Sequence, residues 1–158
     1  MLKNKELLCV RARLKPCARQ LYPSRLHAIT QANRYNLYLT FAPFCVHVNQ
    51  DEPWSTKGYR SDSGHVVAYF SFDENLTILA AKAELDNNHD LLGTYLGYPS
   101  CCVNYFSRVF NEHNTDPVHK FTHYLLSYYD REGQNIFHYP CSPYCPESIK
   151  IARLTLNF

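Results

Sequence analysis

Two β-rich runs, Tyr35–Phe41 (YNLYLTF) and His65–Phe72 (HVVAYFSF), precede a second half that reads as helix. Two strands alone form a marginal sheet in water, so helices have to cover them. This predicts an α+β fold in which a small antiparallel sheet packs against several helices. The 158 residues suit one core, since single domains run to ~100–200 residues. We read 1–158 as a single domain, with an N-terminal part over 1–64 and a second part over 65–158. Phe44–Val48 is expected to continue the first strand after Pro43. Residues 49–64, with Pro53, Gly58 and Gly64, read as an exposed loop carrying Trp54.

Helices are expected over 3–14 and 24–33, the second opened by Ser24. Ser71 and Glu74 have capping-box spacing ahead of Leu76, Leu79, Ala80 and Ala83. A short helix over 88–96 should stop at Gly97. Ser100, after Pro99, is an expected N-cap for a helix with Val103, Phe106 and Phe110 on one stripe. Another helix is expected over 117–129, and a last one from Pro146 to about 156.

Composition narrows the function class. Aromatic residues make up 15 % of the chain, enough apolar area to argue against disorder. No run approaches the ~18 apolar residues of a membrane helix. The opening MLKNKELLCVRARLK has no apolar core of a secretory signal, so the expected compartment is the cytoplasm. The net charge is +2. The densest basic run, Arg11-Arg13-Lys15-Arg19, is expected to be a solvated face of the N-terminal helix rather than a nucleic-acid track. Thirteen tyrosines and nine phenylalanines suggest a polar-tipped aromatic core and name no ligand.

The seven cysteines are more specific. An odd number without an export signal argues against a disulfide framework. Cys101 and Cys102 fall in the first turn of one expected helix, and Cys145 at the N-cap of another. Unpaired N–H groups and the helix dipole favour a thiolate there. Cys141 belongs to His138-Tyr139-Pro140-Cys141-Ser142-Pro143-Tyr144-Cys145, a segment stiffened by prolines. Cys9, Cys17 and Cys45 lie outside the pattern and read as packing residues.

GYPSCCVNYF (97–106) and HYPCSPYCPES (138–148) resemble a family of largely uncharacterised prokaryotic proteins that carry GYPxCCxxxF and HxPCxxxCxxS segments. The likeness covers roughly residues 65–155. It implies that Cys101, Cys102, His138, Cys141, Cys145 and Ser148 form one set.

Three chemistries fit that set. The first is metal binding by Cys101, Cys102, Cys141 and Cys145 with His138 as ligand or base, serving a redox or biosynthetic tailoring step. Adjacent helical side chains diverge by ~100°, which ranks an iron–sulfur cluster above zinc. The second is metal-free thiol chemistry. Cys101 or Cys102 would attack a disulfide, persulfide or activated carbonyl, Cys141 or Cys145 would resolve the adduct, and His138 would be the base. Either would work with a small-molecule or protein thiol or redox partner. The third is an aromatic-rich interaction module. His119 and His123, at i, i+4 spacing, read as solvated surface beside His113.

Overall fold

The computed structural model describes residues 4–47, 59–111 and 135–157. The elements are α1 (Lys5–Arg11), β1 (Cys17–Tyr22), α2 (Arg25–Tyr35), β2 (Tyr38–His47), β3 (Tyr59–Ser61), β4 (His65–Ser71), α3 (Glu74–Leu85), α4 (His89–Tyr95), α5 (Ser100–Val109) and α6 (Pro146–Leu154). A 3-10 turn, Thr155–Asn157, follows α6. The four strands form one antiparallel sheet in the order β1-β4-β2-β3, so the fold is α+β, as the two strand runs imply.

Both faces of the sheet are covered, which explains why β4 is apolar at consecutive positions. Val67 and Tyr69 face α3 and α4, in a core with Cys17, Val46, Ala80 and Leu96. Ala68 and Phe70 face α1 and α2, in a second core with Leu7, Val10, Ala28 and Tyr35. Pro43 does not interrupt β2. It lies within the irregularity that separates the pairing of Phe41 with Ala68 from that of Cys45 with Val66. A proline is tolerated there because the ladder is already broken.

The sequence reading misses β1 and places β3 within a loop. β1 (CARQLY) alternates charge and apolarity too weakly to show its period, because Arg19 faces inward. Its partner is a buried carboxylate. Arg19 Nε and Nη2 donate to Glu84 Oε2 and Oε1 at 2.6 and 2.8 Å, and Tyr69 Oη donates to Glu84 Oε2 as well. The expected solvated basic face is therefore wrong in half its members. Arg11 and Arg13 are exposed, but α1 ends at Arg11, and Lys15 is only 7 % exposed. Lys15 Nζ donates to Leu96 O, lies 3.4 Å from Glu6 Oε1, and stands 4.2 Å from the centre of the Tyr98 ring. Burial pushes the Glu6 carboxyl up and the Lys15 ammonium down, each against the pull of the other.

Helix ends repeat one device. After α1, α2, α3 and α4 a residue with positive φ closes the chain back on the last turn: Arg13, Asn36, Asn87 and Gly97. In each case the next N–H reaches a carbonyl five residues back: Leu14 to Cys9, Leu37 to Ala32, Asn88 to Ala83 and Tyr98 to Gly93. This is the Schellman arrangement. It stops α1 at 11 rather than 14, and Gly97 ends α4 as expected. A Cβ on Gly97 would also collide with the Pro16 ring.

Two caps shift from their expected positions. Asp73, not Ser71, caps α3 by accepting from Asn75 N at 2.9 Å. Ser71 ends β4, donating to Pro16 O at 2.7 Å. The buried stripe of α3 consequently includes Thr77, Ala80, Ala81 and Glu84, while Leu79 faces out. Pro99 takes the N-cap position of α5, one residue before Ser100. The expected helix over 117–129, with His113, His119, His123 and Trp54, lies outside the described residues. Among the described residues no helix is long and apolar enough to cross a membrane.

Candidate metal centre

The site begins with a close helix contact. Gly93 of α4 lets Val103 of α5 pack directly on it, since a Cβ at 93 would come within 2.6 Å of Val103 Cγ2. That contact, with the turn at Gly97, fixes the start of α5. Pro99 O accepts from Cys102 N and Val103 N, both at 2.9 Å. Cys101 and Cys102 thus occupy the second and third positions of α5.

The segment before α6 closes on this turn by two ring contacts from adjacent residues. His138 packs against Tyr98, with centroids 5.3 Å apart. Tyr139 stacks on Phe106 at 5.5 Å and 16°. Cys141 N then donates to Cys102 Sγ at 3.4 Å. Cys145 is the N-cap of α6 with Pro146 behind it, as the sequence predicts.

These elements bring the two cysteine motifs together across the chain. Sγ–Sγ distances are 3.8 Å for Cys101–Cys102, 3.7 Å for Cys101–Cys145 and 3.7 Å for Cys102–Cys145. With Cys141, all four sulfurs lie within 4.8 Å of one another, and the group can hold a metal ion. No disulfide joins them. The expected divergence of adjacent side chains does not keep Cys101 and Cys102 apart. It describes the Cα–Cβ directions, and rotation about χ1 swings the sulfurs back to 3.8 Å. Cys9 and Cys17 are buried and Cys45 is half-buried, and none of the three belongs to this group of four.

His138 stands one hydroxyl away from the sulfurs. Its Nε2 is 2.8 Å from Ser148 Oγ, which is 3.4 Å from Cys102 Sγ. Ser148 lies on the first turn of α6 and is 2 % exposed. Burial, with the Lys15 ammonium beyond it, pushes the His138 pKa down to about 3, so the ring is neutral at ordinary pH. Burial pushes the Cys102 thiol up, and lifts Cys141 to about 11 with help from Cys145 and Cys101. Burial also acts upward on Cys145, but Ser148 and the neighbouring thiols outweigh it and bring it down to about 7.

The sequence places neither Lys15, expected on a solvated face, nor Tyr98 next to His138. They line a cavity of about 40 Å³ with Phe137, His138, Ile151 and Thr155, and none of the four clustered cysteines lines it. A single water needs ~10–15 Å³. Tyr98 stood within the GYPSCC segment, but only the fold shows it flanked by both Lys15 and His138. No family model, curated protein or solved structure matches the chain.

Proposed function

We propose that this chain is a metal-binding protein in which Cys101, Cys102, Cys141 and Cys145 hold one thiophilic ion, zinc foremost. The sulfur spacing carries the reading. Four thiolates at ~2.3 Å around a tetrahedral ion lie ~3.8 Å from each other. Three of the pairs measure 3.7–3.8 Å. In an iron–sulfur cube each thiolate binds a different iron corner, and the cluster itself holds the sulfurs farther apart. The spacing therefore supports a single ion over the cluster that the divergence argument favours. The two motif segments, 97–106 and 138–148, between them contribute all four sulfurs. A redox or biosynthetic step in the cytoplasm, with a thiol partner, is the setting we propose for the centre.

The donor set fits a divalent ion. An ion would offset the charge that makes four adjacent thiolates unfavourable together. Two of the sulfurs are buried among groups able to donate to them. With Cys102 as a thiolate, Ser148 must donate to the sulfur, because a thiolate has no proton to give. Ser148 Oγ is then left to accept, so neutral His138 donates from Nε2. His138 in this reading orients Ser148 and takes no place among the ligands, an outer-partner role common at metal sites.

Elemental analysis of anaerobically purified protein tests the reading. One zinc per chain in a colourless sample, replaceable by cobalt with intense thiolate-to-cobalt absorption, is the expected result. A brown sample with several irons and acid-labile sulfide would establish the cluster instead. Metal-free protein with a fast-reacting thiol at Cys101 or Cys102 would point to the thiol enzyme instead.

A further inference from the structure

The four sulfurs are not equivalent. Cys102 and Cys145 are each 2 % exposed. Cys102 has Cys141 N and Ser148 Oγ within reach, and Ser148 also acts on Cys145. Cys141 is half-buried within the proline-stiffened segment. Cys101 is exposed, and among the described residues the partners of its Sγ are sulfurs alone. Hydrogen bonds to a thiolate draw off the electron density with which it attacks, and burial blocks the approach of a reagent. Among the described residues, Cys101 has neither protection.

We propose that Cys101 is an alkyl-acceptor site: the metal-bound thiolate that a soft carbon electrophile modifies while Cys102, Cys141 and Cys145 keep the ion. This rests on the metal reading above. Four thiolates around a divalent ion carry a net charge of about −2, so the centre is electron-rich at the sulfur that faces solvent. In the step, Cys101 Sγ attacks the carbon of an alkyl donor R–X. The S–C bond forms as the C–X bond breaks, and X leaves with the bonding pair. No proton or redox electron is exchanged. Cys101 becomes a thioether and the centre loses one unit of negative charge. The cognate donors are alkylating agents with an unhindered carbon and a good leaving group.

Zinc-loaded protein treated with iodoacetamide near neutral pH, followed by peptide mapping and zinc analysis of the same samples, tests this. The expected result is a single adduct at Cys101, formed at least about tenfold faster than at Cys141 or the half-buried Cys45, with one zinc per chain retained. Cys101→Ser should lose the fast adduct. The wild-type map decides the matter even if that variant fails to load. A first adduct at Cys141, no preference among the four, or zinc release ahead of alkylation would overturn the inference and leave the metal reading intact. A chain that takes up no metal would overturn both.

Discussion

The sheet body and the sulfur corner are held together in different ways. In the body, apolar side chains cover both faces of β4, and the inward charges are paired by the chain itself. Arg19 grips Glu84 with two hydrogen bonds, Tyr69 adds a third, and the Arg60 guanidinium caps the Glu84 and Leu85 carbonyls at the end of α3. In the corner, the first turn of α5 meets the segment leading into α6 through thiols, two ring contacts and a serine–histidine pair. The body carries its own counter-charges. The corner gathers four thiols that could hold a metal ion, and on the reading proposed above that ion would supply the counter-charge. On that reading, one chain contains a part whose charges are balanced internally and a part whose charge is balanced by the ion it holds.

The largest expected effect lies in the body. Arg19→Met leaves the Glu84 carboxylate buried without its cation, and breaking such a pair costs ~3–5 kcal/mol. Denaturant unfolding should show that loss, while zinc stoichiometry measured well below the transition stays at one. A variant that instead lost its metal with little loss of stability would erase the distinction between the two regions. Next comes Cys102→Ser, which removes a buried ligand. Metal affinity should fall by more than the ~10–100-fold attached to losing an outer partner. Amide hydrogen exchange should quicken over 138–154 and stay slow in β1, β2 and β4. Uniform loss of protection would mean that the corner is part of the body's cooperative unit. The smallest effect belongs to Ser148→Ala, expected to weaken metal binding ~10–100-fold through Cys102 and the unpaired His138. A competition titration against a chelator of known affinity reads it, and an unchanged affinity would remove Ser148 and His138 from the account.

What could be read from the sequence follows the same division. Strands β2 and β4 announce themselves because their side chains are apolar on buried faces. Strand β1 does not, since Arg19 and Gln20 carry the chain through a polar interior whose partner, Glu84, lies 65 residues away. Lys15 was misread for the same reason: a short-range charge run cannot show that one member points at Glu6 and Tyr98. The cysteine motifs predicted their own meeting, because helix-start positions and rigid prolines are local signals. The convergence of Cys101 and Cys102 was not visible in the spacing, because it depends on side-chain rotation, which the helix period does not specify.

X-ray absorption at the metal edge of the zinc-loaded chain tests the central claim most directly. The account predicts one shell of four sulfurs at ~2.3 Å, with no metal–metal scattering. A second metal nearby, or a shell containing imidazole nitrogen, would contradict it.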